Sequence, residues 1–299
     1  MNYNKQYIVL EKRGEFLMEK LNILLVSGIV TAEHQFRVTN EKLRTLLEST
    51  GRFHVTITEE AHNITPEFLS PYDAILLNYD GKTWPTDQMV PLGETTENSI
   101  LKFVAEAGKG IVFYHSTVWS EDGDCSEEWR KLMGGHATMI DGRRAPADDL
   151  IIKTVDSDHP ITQGVKKEWM TVLEDLFTPI HFHPESHVHV LEAVRDDISY
   201  YQELFDKGLF PPKHHPVHIP DGKLENMPGI NQDTPVMWTN EYGKGRAFVT
   251  TIGHGPGTWE RFSFITLFVR GVEWAASGQV TLQAPDRSGD NRLKQWPFY

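Results

Sequence analysis

The sequence predicts an α/β fold on a mostly parallel sheet. Two observations carry that reading. Short continuous apolar runs recur through the first 120 residues, and segments of helical period lie between them. A third observation concerns ligands. Several apolar runs end at histidines or turn residues, and in open α/β sheets ligands bind at the carboxyl ends of strands, where the strand order reverses.

The first run, LNILLVSG (21–28), closes on Gly as a strand buried on both faces would. TNEKLRTLLESTG follows, with Leu43, Leu46 and Leu47 on one helical face and Gly51 as the stop. FHVTITEE, from Phe53 to Glu60, alternates like a strand with one buried face. DAILLNYDG (73–81) is a third strand, and ENSILKFVAEAGKG (97–110) is a helix closing on Gly108 and Gly110. GIVFYHSTVW (110–119) is a fourth strand that hands the chain over at His115. Strands alternating with helices imply right-handed crossovers.

The second half is less regular. DDLIIKTVDSDHPITQGV holds a strand and then a turn at His159 and Pro160, while EWMTVLEDLF and HVHVLEAVRD look extended. Residues 199–232 are polar and rich in Pro and Gly, more like an inserted loop than a core element. TPVMWTNEYGKGRAFVTTIGH is two strands joined at Gly243-Lys244-Gly245, and SFITLFVRGVEWAASG is an amphipathic helix ended by Gly278. The preferred division is one domain over 18–280, an N-terminal extension over 1–17 and a C-terminal arm over 281–299 that docks through Trp296 and Phe298. Removing residues 1–17 should leave melting nearly unchanged.

Composition narrows the function. Apolar residues make up 39% and charged residues 24%, an ordinary globular balance. A formal charge of −13 argues against a nucleic-acid partner, which needs a basic stripe to meet phosphates. No apolar run reaches the roughly 20 residues of a membrane helix, and the N-terminus lacks a secretory pattern. Cys125 is the one cysteine, so no internal disulfide can form, and a cytoplasmic location is the simplest reading. The expected partner is a small molecule; a homo-oligomer is compatible with all of this.

Three chemistries are open to these residues. Ser116 sits at a strand-to-turn junction but lacks the Gly-x-Ser-x-Gly frame of a nucleophile elbow. Cys125 lies in SEDGDCSEEW among five carboxylates, which disfavour a thiolate. The third rests on 14 histidines, of which His34, His115 and His254 follow the first, fourth and last apolar runs. They would converge if those strands lie side by side, and imidazoles bind zinc and similar metals well. Glu174 and Asp175 in VLEDLF are the nearest plausible carboxylates. Any one of these histidines taken alone is better explained by a hydrogen bond at a loop, and no HExxH-type motif links them.

Other features favour plain structure. His181, His183, His187 and His189 alternate like the polar face of a hairpin; His214, His215 and His218 belong to the insertion. YGKGR is better read as a turn than as a phosphate site. Trp119, Trp238 and Trp259 are candidate stacking surfaces for a sugar ring, or core.

Taken in order, EHQF, GIVFYHS, EEWRKLMGG, DHPITQGV, LEDLF, DTPVMWTNEYGKGRAFVTTIGH and FVRGVEWAASG resemble the ThuA-like (trehalose utilisation) family of the class I glutamine amidotransferase-like superfamily, over roughly residues 20–278. The resemblance implies a flavodoxin-like sheet with helices on both faces. Amidotransferase relatives carry Cys where this chain has His115, so the glutaminase reaction should be absent. The family is associated with trehalose and related disaccharides, including oxidised keto sugars. Its implied site falls on His34, His115 and His254, with the acidic pair at 174–175. Where the family commonly has Asp-Glu-Leu-Tyr, this chain has Glu174-Asp175-Leu176-Phe177, so the acids are transposed and the Tyr hydroxyl is missing. Relatives often place His before the next Pro-Val; here Thr234 stands there.

The expectation is an enzyme acting on a disaccharide or keto-glycoside by hydrolysis, elimination or isomerisation. His34, His115 and His254 would hold a divalent metal such as Zn, or share acid/base work, and His115, Glu174 and Asp175 are the expected catalytic residues. No nucleotide cofactor is expected. The alternative is a non-catalytic carbohydrate-binding or regulatory protein on the same scaffold.

Overall fold

Among the described residues, nine strands form one sheet in the order β2-β1-β3-β4-β13-β12-β11-β7-β8. The computed structural model describes residues 19–28, 34–81, 90–119, 125–138, 140–211 and 219–284. The N-terminal extension, His214, His215, His218, Trp296 and Phe298 lie outside the described residues.

The parallel part comprises β2 (Phe53–Thr58), β1 (Leu21–Ser27), β3 (Ala74–Asn78), β4 (Gly110–Tyr114) and β13 (Gly245–Thr250). Next come β12 (Asp233–Tyr242), β11 (His187–Arg195), β7 (Ile151–Thr154) and β8 (Glu168–Met170), each antiparallel to its neighbour. Only β12 and β7 therefore run against the common direction. Two short ribbons lie outside the sheet: β5 (Gly135–His136) with β10 (His181–Phe182), and β6 (Arg143–Asp148) with β9 (Glu174–Thr178).

Strand alternation explains the layers. Ile23, Leu25, Leu76, Val112 and Phe248 face α1 (Phe36–Glu48) and α7 (Phe262–Ser277). Their neighbours Leu24, Val26, Leu77, Phe113 and Val249 face α2 (Pro66–Leu69), α3 (Glu94–Ala105) and α4 (Glu127–Met133). Both faces are buried, so the central strands read as unbroken apolar runs. Gly110 shows how close the layers come: a Cβ there would lie 2.0 Å from the Ala275 carbonyl oxygen of α7. The other α-helices among the described residues are α5 (Ser199–Asp206) and the single turn α6 (Pro256–Trp259).

The structure corrects four details. The third helix starts at Glu94, before the expected residue 97, with Glu94 and Glu97 in its first turn, where carboxylates oppose the helix dipole favourably. His181 and His189 do not share a hairpin; His181 pairs with His136, and His189 with Thr239 of β12. Residues 199–232 are more than a loop, because Tyr201, Phe210, Leu224, Met227 and Ile230 close a small core of their own. Packing also continues past residue 280, where Thr281 bonds Glu273 and the Leu282 carbonyl accepts from Arg270.

Glu192 of β11 gives a testable pH dependence. Burial pushes its carboxyl from an ordinary 4.5 up to about 7. Thr154 Oγ1 bonds both the Lys166 carbonyl and Glu192, and a hydroxyl with one proton satisfies both when Glu192 is protonated. The folded state then holds a proton that the unfolded state releases, so stability falls as pH rises from about 4.5 to about 7, by roughly 3 kcal/mol. Glu192→Gln is expected to flatten this slope and to be the more stable protein at pH 8, measured by urea melts of both proteins at the two ends of the window. An unchanged slope contradicts the assignment.

Candidate functional site

Four loops at the carboxyl ends of adjacent strands build the site. His34 follows β1, Asp80 follows β3, His115 follows β4 directly and His254 follows β13. Chain order reverses at β1, which sits between β2 and β3, and this is where an open α/β sheet leaves a crevice. The end of β1 is pinned from inside: Asn40 of α1 donates to Ser27 Oγ at 2.6 Å, and Asn78 donates to Asn40 Oδ1 at 2.8 Å.

The three imidazoles come together. Ring centroids lie 5.3 Å apart for His34 and His115, 5.7 Å for His34 and His254, and 5.1 Å for His115 and His254. One nitrogen from each falls within 4.8 Å of the others. His115 adopts φ +50°, a left-handed conformation uncommon outside Gly and Asn, in the 3-10 turn His115–Val118. Strain of this kind concentrates at functional positions.

Hydrogen bonds orient the rings. His115 Nδ1 donates to the Thr251 carbonyl at 2.7 Å, which leaves Nε2 buried with no hydrogen-bond partner. Burial, with His34 and His254 alongside, holds His115 well below the usual imidazole range, so the ring is neutral and Nε2 carries a lone pair. His34 Nδ1 meets Asp80 Oδ2 at 2.7 Å, and that carboxylate is 4% exposed. A carboxylate behind an imidazole fixes ring orientation and raises basicity, as it does for metal-ligating histidines. Gly253 sets the third loop: its φ is +130°, and a Cβ would meet Tyr114 Oη at 2.2 Å. Tyr114 and Trp259 both donate to the Gly253 carbonyl.

Three nitrogen donors within 4.8 Å, one of them an orphaned buried lone pair, fit a zinc-like ion with positions left open. His34, His115 and His254 are the residues that would hold it.

The two acids take different places. Glu174 is fully buried; it accepts from the His254 amide at 2.8 Å, lies 4.0 Å from His115 Nδ1, and burial pushes it up to about 8. Asp175 points from the other face of β9, where the register to β6 is irregular, toward Arg144 at 3.5 Å and His254 Nδ1 at 3.7 Å. Phe177, on the same face as Asp175, packs on the His115 ring at 5.2 Å and on Trp119 at 5.3 Å.

Other candidates fall away from the cluster. Ser116 Oγ is buried without a hydrogen-bond partner, so no Ser–His dyad forms with His115. Trp238 and Trp259 are core residues whose indoles donate to Met133 and Gly253, which leaves Trp119 as the one indole of the three bordering the site. His159 and His189 pack against each other with centroids 5.4 Å apart and rings tilted by 30°, apart from the site, with His189 bonded to Asp156. Sequence reasoning missed Asp80, Arg144 and the Thr251 carbonyl. Only Asp80 had a visible signal, its place at a strand end in NYDG.

The model of the ThuA (trehalose utilisation) family matches residues 22–275. Among curated proteins none matches. The chain is similar in structure to a ThuA-like protein from Parabacteroides merdae, with TM-score 0.64 and 21% identity over 90% of this chain and 94% of that one. It is similar to a ThuA-like protein from Bacteroides uniformis at TM-score 0.61 and 16% identity, covering 95% and 100% of the two chains. A protein described as cytoplasmic from Salmonella typhimurium is similar at TM-score 0.53 and 15% identity, covering 85% and 99%. Among the described residues no helix is long and apolar enough to cross a membrane. With a family match running from the first strand to the last helix, around a histidine at the end of β4, the chain belongs to the ThuA family and is thereby associated with sugar metabolism.

Proposed function

We propose that the protein is an enzyme of sugar metabolism acting on a disaccharide or keto-glycoside, assisted by a divalent metal at His34, His115 and His254, without glutaminase activity. The observation that supports this most is the convergence of three oriented imidazoles on one point, 5.1 to 5.7 Å between centroids. A metal held there supplies Lewis-acid polarisation of a substrate oxygen. Asp80 and the Thr251 carbonyl keep two of the rings in register.

Of the two acids, Asp175 is the one placed to move a proton. Its own side chain is only 2% exposed, and it is the contacts with Arg144 and His254, 25% and 26% exposed, that connect it to the open side of the site. Glu174, with no exposed surface, positions the His254 loop. Trp119, half-buried with the core residue Phe177 packed against it, offers the aromatic surface on which a sugar ring would stack.

The test is metal analysis of protein dialysed against zinc, together with turnover on a panel of disaccharides and their keto derivatives. One equivalent of metal and turnover that a chelator removes are expected. Absence of both overturns the reading in favour of a carbohydrate-binding protein. The support from Asp80 makes a separate prediction: Asp80→Asn should keep the fold and weaken zinc binding by roughly 10–100-fold, measured by chelator competition. Unchanged affinity would mean that Asp80 does not serve His34.

A further inference from the structure

A cavity of about 70 Å³ lies beside the histidine cluster, sharing Asp80 with it. Tyr79, Trp119 and Trp129 supply its aromatic wall; Asp80, Glu97 and Thr117 supply its polar groups. Thr117 is only 8% exposed, and its hydroxyl has no hydrogen-bond partner. A buried hydroxyl left unpaired is costly, and such groups in native proteins call for an explanation. Thr117 lines the cavity, so a ligand group seated there would meet this residue and could supply the missing partner once the hydroxyl turns toward it.

Size and charge specify that group. The cavity has about half the volume of the roughly 150 Å³ space that takes a benzene ring. It therefore holds a few heavy atoms and not a pyranose. Aromatic faces suit C–H bonds, while the carboxylates of Asp80 and Glu97 accept from hydroxyls and oppose an anion. Glu97 is set by the Ser126 amide, which donates to Oε1 at 3.1 Å.

We infer that this cavity is a specificity subsite that takes the exocyclic hydroxymethyl arm of a neutral sugar and rejects the same sugar when that arm is a carboxylate or a phosphate ester. The inference rests on the reading of the histidine cluster as the centre that acts on the sugar. Asp80 then serves both places, bonding His34 on one side and walling the arm's pocket on the other.

The experiment is calorimetric binding of three probes to the zinc-dialysed full chain: methyl glucoside, methyl xyloside, which lacks the arm, and methyl glucuronide, in which the arm is a carboxylate. The glucoside is expected to bind about tenfold or more tightly than the xyloside, with the glucuronide weakest. Thr117→Val should bring glucoside affinity down to that of the xyloside and leave xyloside affinity and zinc content unchanged. Equal binding of glucoside and xyloside, glucuronide binding as tight as glucoside, or no binding of any probe overturns the proposal. Zinc content read on the same samples separates the two claims. Selectivity without zinc keeps the subsite and removes the metal; zinc without selectivity removes the subsite alone.

Discussion

Replacing His115 by alanine is expected to abolish zinc binding by the protein while leaving it folded. The ring is 2% exposed, its Nδ1 is committed to the Thr251 carbonyl, and its Nε2 has no hydrogen-bond partner, which leaves that nitrogen to a metal. Losing a partner behind a ligand costs roughly 10–100-fold in metal affinity, and losing the ligand itself should cost more than 100-fold. The apo protein changes less. Deletion leaves a cavity, an unmet Thr251 carbonyl and an alanine at φ +50°, but it also removes a buried, unpaired nitrogen. The readout is thermal unfolding with and without zinc. A ligand at 1,000 times its dissociation constant stabilises by about 4 kcal/mol, so zinc should raise the wild-type melting temperature by several degrees and that of the variant hardly at all. An equal rise in both proteins would exclude His115 as a ligand.

The second large effect concerns the insertion. Arg143 of β6 and Asp196 form a buried ion pair, both side chains 2% exposed. Arg143 Nε also donates to the Pro228 carbonyl at 2.9 Å, and Tyr201 donates to Asp196 Oδ1 at 2.6 Å beneath the guanidinium. This one cluster fastens the small core of residues 199–232 to the ribbon that carries Arg144 and Asp175. Arg143→Met would leave the buried Asp196 carboxylate without its counter-ion, still accepting from the Tyr201 hydroxyl. Removing one partner of a buried pair costs about 3–5 kcal/mol, whereas removing the charge from both costs much less. Arg143→Met with Asp196→Asn, which still accepts from Tyr201, should therefore recover half or more of the loss. A double-mutant cycle in urea checks this; additive losses would contradict the coupling.

How far the molecule was legible in advance follows from where its information lies. Residues 21–28, 73–81 and 110–119 declared themselves because strands covered on both faces cannot alternate. Their lateral order, which brings His34, His115 and His254 together, depends on crossovers that no local window contains. Asp80 illustrates the limit: its bond to His34 spans 46 residues and obeys no spacing rule. Asp175 and Glu174 are adjacent in sequence, yet a strand sends them to opposite faces, and the register to β6, which sets Arg144 opposite Phe177 on the face of Asp175, determines which meets Arg144. The insertion misled for a different reason. Its five core residues follow neither the helical nor the strand period, so a small cluster looked like a polar loop.

The central claim is that His34, His115 and His254 share one metal ion, and X-ray absorption at the zinc edge of the loaded protein tests it most directly. Three imidazole nitrogens at about 2.0–2.1 Å, with an oxygen completing the shell, are the expected first coordination sphere. A sphere made only of oxygen, or one with a single imidazole, would contradict the account.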